Sequence, residues 1–405
     1  MTQDKALEIL KTGANVFLTG EPGAGKTHTI GLFVEWLDKE HRDYEITAST
    51  GIAASHLGGK TIHSWTGLGI RRNLTKEQLE GVTRNYWVLE KIRPVKTLVI
   101  DEISMLDAVA LNDVNHILQA AKGNKLPFGG IQIIFVGDFF QLPPVSKGQE
   151  VKFAFEADAW MAAAPNICYL TEQHRQSDPL FLEILAAMRS GNVTEAHKAT
   201  LKACLRSEKP DTRLYTHNAD VDALNTSELA KLKGKAHTYQ MLEGGTPALI
   251  QVLKRGCLSP EKLVLKQDAV VMFTRNNFKE GYVNGSIGKV EKFENGDPVV
   301  RLLSGKLVYP QLTDWEFTEK REVKAYIRQL PLRLAWAITV HKSQGMSLDS
   351  ASVDLTNTFE FGQGYVAISR VRTLAGLHLH GINDMAFAMH PKVVERDVLF
   401  REAGV

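Results

Sequence analysis

Residues 15–40 read NVFLTGEPGAGKTHTIGLFVEWLDKE, and three local patterns follow one another there. NVFLT is a short apolar, β-leaning run of the kind that fills a buried strand. GEPGAGKT fits the G-x-x-x-x-G-K-[ST] spacing of a phosphate loop. The remainder has helical periodicity, with Leu32, Phe33, Trp36 and Leu37 on one side. Glycines let backbone N–H groups turn inward around phosphate oxygens without a Cβ in the way. Lys26 can then reach the β- and γ-phosphates, the Thr27 hydroxyl is placed to ligate Mg²⁺, and the helix adds its positive dipole end. A glycine turn without a ligand is the plainer alternative, and the strand–loop–helix context argues against it.

Working outward, YEITAS, TLVID and IQIIFVG are further apolar, β-branched runs separated by helical stretches. Buried strands alternating with helices predict an α/β fold with a parallel sheet covered on both faces. Ligands collect at the carboxyl ends of such strands, where Thr19, Asp101 and Asp138 stand. TLVIDEISM delivers Asp101 to hold the Mg²⁺ and Glu102 to orient and polarise a water. Alone, that pair would read as a solvated turn; behind a phosphate loop it reads as hydrolytic. In IIFVGDFFQLPPV, Gln141 is either a γ-phosphate sensor or a turn residue before Pro143–Pro144. Phe139 and Phe140 fit plain core.

Two segments break the rhythm. Residues 66–96 are polar and basic, and predict an inserted subdomain. Residues 266–328 carry Asn-Gly, Glu-Asn-Gly and Ser-Gly turns between short strands, the pattern of a small antiparallel barrel. LRLAWAITVHKSQG then returns to the buried-strand style. The 405 residues suffice for two or three domains. Apolar content of 44% and charged content of 23% are ordinary globular values and indicate neither disorder nor a membrane protein. A net charge of +2 confines any basic surface to a local groove. Three scattered cysteines form no metal or disulfide framework, and with no apolar leader the expected location is cytoplasmic.

In order, the chain carries GEPGAGKT, TASTGIAASHLGGKTIHSW, VIDEISML, KLPFGGIQIIFVGDFFQLPPV, LTEQHRQ, LRLAWAITVHKSQGMSLD and GYVAISRVRTLAGL. This set, from about residue 1 to 385, resembles the superfamily-one DNA helicases of the 5′-to-3′, RecD-like subgroup, and most closely the petite-integration-frequency (Pif) family. The resemblance implies two RecA-like domains, residues 1–177 and 178–405. It makes residues 66–96 a wedge in the first and about 288–328 a Src-homology-three-like barrel in the second. It implies ATP and Mg²⁺ as cofactors, with Gln3 as the adenine reader, although its spacing to the loop is one residue shorter than in the family. Gly20, Gly23, Ala24, Gly25, Lys26, Thr27, His28 and Gly345 complete the nucleotide contacts. Arg175 and Arg370 match the arginines that reach the γ-phosphate, with surface ion pairs as the ordinary alternative.

Single-stranded DNA, tailed or structured DNA is the implied partner. Its contacts fall on Thr50, Gly51, His63, Ser64 and Trp65 in the first domain, and on Thr339, His341, Lys342 and Ser343 in the second. Hydroxyls, His and Lys suit phosphate oxygens, and an aromatic face can stack on a base; a Trp or His is otherwise more often core. The expected protein is a monomeric, bacterial or phage-like, nucleoid-associated helicase moving 5′ to 3′. An RNA/DNA translocase and an ATP-gated DNA-binding switch are the competing readings.

Overall fold

The computed structural model describes residues 1–50, 53–54, 60–144, 152–173, 176, 178–205, 213–215, 221–277, 279–319, 322–339, 348 and 350–404. The chain forms two units. Met1–Gln176 joins with Met389–Val405, and Ser177–Ala388 forms the other.

The first unit is built on strands β1 (Val16–Gly20), β2 (Tyr44–Ala48), β3 (Lys60–Thr61), β4 (Thr97–Asp101), β5 (Gln132–Val136) and β6 (Asn166–Leu170), all parallel, in the order β3-β2-β4-β5-β1-β6. β1, entirely buried, lies between β5 and β6. One face of the sheet packs Leu18, Val99 and Ile134 against Leu10 of helix Gln3–Lys11 and Phe33 and Leu37 of helix Lys26–Lys39. The other face is aromatic: Phe135 stacks on Trp160 at 4.4 Å, and Phe17 meets Phe139, Trp160 and Phe400 at 5.1–5.4 Å. Phe139 and Phe140 are buried, so both are core.

Phe400 comes from the C-terminal helix Pro391–Ala403, which also accepts a hydrogen bond from the Tyr169 hydroxyl on Asp397 at 3.2 Å. The expected second domain at 178–405 is corrected here: its last residues return to the first unit because that sheet face needs an aromatic cover.

Residues 66–96 hold two short helices, Lys76–Thr83 and Tyr86–Ile92. The first starts on a capping box of Thr75 and Gln78, and both pack on helix Ala108–Lys122.

The second unit carries β7 (Arg213–Tyr215), β8 (His237–Gln240), β9 (Leu242–Gly245), β10 (Lys262–Leu265), β11 (Val270–Phe273), β12 (Ile287–Glu294) and β13 (Asp297–Leu302). It continues with β14 (Leu307–Val308), β15 (Thr313–Glu319), β16 (Glu322–Gln329), β17 (Leu332–Leu334), β18 (Ala337–Thr339), β19 (Ala351–Leu355) and β20 (Leu377–Ile382). Four of these form a parallel sheet, β18-β7-β19-β20, so the expected α/β class with parallel sheets holds in both units.

The antiparallel insertion expected at about 288–328 is present, and its strands fall in two sheets. β14-β13-β12-β11-β17 surrounds Phe273, Val290, Val300 and Leu332. The β15–β16 hairpin leaves that sheet and pairs with β9 instead. The hairpin has its own small core, in which Trp315, Ala325 and Ile327 meet Met241 and Ile250.

Candidate nucleotide and nucleic-acid site

β1 ends in the glycine loop, and helix Lys26–Lys39 begins at Gly25 with φ +88°, a left-handed conformation that glycine adopts freely. A Cβ at Gly25 would fall 2.2 Å from Nε2 of Gln3, so the Gln3 side chain lies directly on the loop. The spacing shift noted in the sequence therefore does not remove Gln3 from this end of the sheet. No side chain caps the helix and no acidic residue occupies its first turn, which leaves its N–H groups and dipole available to an anion. The Lys26 ammonium donates to the carbonyls of Gly20 at 2.8 Å and Glu21 at 3.1 Å, holding it over the loop. Ala24 is fully buried beneath, while Thr27 and His28 are exposed on the helix's first turn.

Asp101 and Glu102 arrive at the end of β4. Burial, and then the neighbouring Glu102 carboxylate, push the Asp101 carboxyl up to about 7; Lys26 pulls the other way. Glu102 itself sits at φ +52°, an unfavourable conformation for a residue with a Cβ. Hydrogen bonds help to hold it there. Its N–H donates to Asp101 Oδ1 at 2.8 Å, and the Ser49 hydroxyl donates to its carbonyl at 2.7 Å. Ser49 was not singled out in the sequence, although it is the polar tail of YEITAS and faces the Asp-Glu pair from the adjacent strand.

Gln141, buried, donates from its side chain to Asp138 at 3.5 Å, and Asp138 also accepts from the Phe140 N–H at 3.2 Å. The strand-end Asp138 thus orients Gln141 and anchors the turn. Gln173, also missed, donates to Glu21 on the loop at 2.7 Å. The first unit therefore gathers Gln3, the glycine loop, Lys26, Thr27, Asp101, Glu102 and Gln141 at one end of its sheet. The hard oxygens of Thr27 and Asp101 fit Mg²⁺, which characteristically takes one or two protein oxygens and completes its shell with phosphate and water. Among the described residues no cluster of three or more His, Cys, Asp or Glu forms a self-sufficient metal cage.

Comparison with known proteins gives the same reading on a wider base. The PIF1-like helicase family matches residues 3–199. An ATP-dependent DNA helicase Pif1 from Psychrobacter sp. (strain PRwf-1) is 40% identical over 100% of this chain and 71% of its own length. The chain belongs to the PIF1-like helicase family. A solved structure of Bacteroides sp. Pif1 in complex with ADP-AlF4 matches with a TM-score of 0.87 and 29% identity, over 99% of this chain and 97% of that one. Bacteroides Pif1 bound to single-stranded DNA matches with a TM-score of 0.68 and 28% identity, over 99% and 96%. The two parallel-sheet units are accordingly RecA-like.

For a PIF1-like helicase the expected DNA contacts divide. Thr50 is half-buried, its hydroxyl accepting the Ala53 N–H at 3.2 Å, and Ser64 is exposed. Burial pulls the His63 pKa down, with Asp107 opposing and Arg72 assisting, which favours the neutral imidazole in the protein alone. Trp65 requires correction. It is fully buried, with its indole N–H beside the Glu45 carboxylate, so it offers no face to a base and belongs to the core. Thr339 on β18 is likewise fully buried. Among the described residues of the first unit, the exposed large aromatics are instead Tyr86 and Trp87 in the insertion, 65% and 67% accessible and set edge to face at 5.8 Å. An adjacent aromatic pair in a basic, polar stretch was the signal available.

In the second unit, Arg370 is buried, its guanidinium donating to the Val366 carbonyl at 3.0 Å and Ser369 Oγ at 3.4 Å. Gly51, Arg175, His341, Lys342, Ser343 and Gly345 lie outside the described residues. No described helix is long and apolar enough to cross a membrane.

Proposed function

We propose that this chain is a Mg²⁺- and ATP-dependent DNA helicase that moves 5′ to 3′ along single-stranded DNA and opens duplexes. The observation that carries it is the coincidence, at one sheet end, of an uncapped phosphate loop under Lys26 with the Asp101–Glu102 pair. Lys26 and the loop N–H groups bind the phosphates. Thr27 and Asp101 would hold Mg²⁺, which neutralises phosphate charge. Glu102, fixed by Ser49 and Asp101, accepts the proton of the attacking water. Gln141, Arg175 and Arg370 are the proposed γ-phosphate contacts of the ATP-bound state. Each charge-assisted hydrogen bond contributes about 1.5–3 kcal/mol. Driving a hinge from 1:99 to 99:1 takes about 5.5 kcal/mol, so two or three such contacts suffice and their loss on hydrolysis resets it.

Residues 66–96 are proposed as the wedge, with Tyr86 and Trp87 as its base-contacting surface. Thr50, Gly51, His63, Ser64, His341, Lys342 and Ser343 are the proposed strand contacts. Relatives named as DNA helicases and a neighbour solved on single-stranded DNA support a DNA partner.

The test is ATPase and unwinding on 5′-tailed, 3′-tailed and RNA-containing duplexes, with Lys26→Ala beside the parent protein. We expect DNA-stimulated turnover and unwinding from 5′ tails, with kcat lowered about 10²–10³-fold in the variant. Unwinding from 3′ tails alone would reverse the polarity, and turnover without unwinding on any tail would leave a switch or translocase.

A further inference from the structure

The second unit holds a cavity of ≈420 Å³ between helix Val221–Lys231 and β10, a size within the range of small-molecule sites. Leu229 and Leu263 form part of its apolar wall. Asn225, also on the wall, is satisfied: its amide exchanges two 2.9 Å hydrogen bonds with the backbone of Ala337. Arg333 is different. It is only 8% exposed, and its Nε has no hydrogen-bond partner. The nearest carboxylate, Asp222, stands 3.9 Å from Nη2, too far for a hydrogen bond, and its side chain is 83% exposed to water. Lys262 and Lys266 add positive charge to the same wall, so three cations face one carboxylate. Burial pulls the Arg333 pKa down, the mark of a charge taken out of water without adequate compensation.

A guanidinium presents Nε and one Nη as a planar fork that matches a carboxylate, phosphate or sulfonate, and here the buried Nε has no partner while Asp222 stands beyond hydrogen-bond distance of Nη2. We propose that the cavity is a binding site for a small organic anion, its acidic head on Arg333 and its apolar body against Leu229 and Leu263. The site lies wholly within the second unit and shares no residue with the nucleotide site.

The test uses the full chain and the fluorescent probe 8-anilinonaphthalene-1-sulfonate, which joins an anionic head to an aromatic body. Saturable binding of one probe is expected, displaced by benzoate or phenyl phosphate, whichever head the fork prefers. Arg333→Met is expected to weaken it at least tenfold, and Asp222→Asn to strengthen it several-fold by removing the competing carboxylate. Should Arg333→Met fail to fold, Ala230→Trp at an exposed helix position fills the cavity mouth and is expected to abolish binding. Lys26→Ala is expected to leave probe binding unchanged, which separates this proposal from the ATPase reading. Absence of saturable binding, displacement by neither competitor, weakening by Asp222→Asn, or binding untouched by Ala230→Trp would each overturn it.

Discussion

Asp101 is where function and stability oppose each other most directly. Its carboxyl is buried beside Glu102, and its pKa in the folded protein, about 7, lies far above the ordinary 3.8. Between those two values the folded chain binds more protons than the unfolded one, so this group's contribution to stability falls as pH rises from about 4 to 7. Asp101→Asn removes the charge that crowds Glu102. We expect the nucleotide-free variant at pH 8 to melt about 2–4 °C higher, the shift that about 1 kcal/mol gives in a domain of this size, and its ATPase to be lost. A melting temperature equal to or below that of the parent at pH 8 would contradict the charge-crowding account. His63 makes the opposite case for a base. Its folded pKa lies below 6.5, so below that pH the unfolded chain takes up the proton first and stability declines on acidification. His63→Gln should flatten that decline, read as the difference in urea midpoint between pH 7.5 and 5.5; an unchanged difference would remove His63 from the account. Most of the nucleotide site was legible residue by residue because its chemistry is local. Lys26, Thr27 and the glycines share one turn, and Asp101 and Glu102 one strand end. Trp65 was not, since a tryptophan in a motif looks the same whether it faces a base or the sheet, and only packing distinguishes the two.

At the scale of elements, turn chemistry revealed the strands of residues 287–329 but not their partners. Asn295 and Gly296 mark the β12–β13 turn with φ +52° and +94°, a signal readable from the Glu-Asn-Gly run. What no run of residues discloses is that β16 pairs with β9, some eighty positions earlier in the chain. That pairing depends on a glycine. Gly245 has φ +104°, and a Cβ there would lie 2.2 Å from the Lys324 carbonyl and 2.6 Å from the Ala325 Cα, both backbone atoms with nowhere to move. The left-handed conformation alone costs a residue with a side chain of order 1–3 kcal/mol, and the clash adds to it. Gly245→Ala should therefore detach the hairpin from β9. Amide exchange should speed up in residues 313–317 and 322–329 while β12 and β13 keep their protection, because the hairpin core of Trp315, Ala325 and Ile327 is separate from theirs. Equal loss of protection in both sheets would mean that the two fold as one.

Over the whole molecule, the chain leaves the first unit at about residue 176 and comes back to it at Met389. The sequence hides this return because helix Pro391–Ala403 has no continuous apolar stripe; among its side chains only Val393 and Phe400 are buried. Phe400 concentrates the attachment. Its ring lies within about 6.3 Å of Phe17, Phe139, Phe155 and Trp160, and the Arg396 guanidinium covers it at 5.1 Å. The aromatic face it covers is the reverse side of the sheet that carries the phosphate loop, so the last residues of the chain support the nucleotide site without touching it. Removing a buried phenylalanine ring costs about 3–5 kcal/mol. Phe400→Ala should lower the urea midpoint of the first unit by that amount divided by its m-value. Ending the chain at Ala388 should lower it further, because Asp397 and the Lys392–Glu156 ion pair are lost as well. Nucleotide added at about 100 times its Kd stabilises the folded unit by about 2.7 kcal/mol, so saturating ATP analogue should recover most of the Phe400→Ala loss. It should recover none in a protein that also carries Lys26→Ala. An equal midpoint for the parent, Phe400→Ala and the shortened chain would show that the first unit is complete without its returning helix.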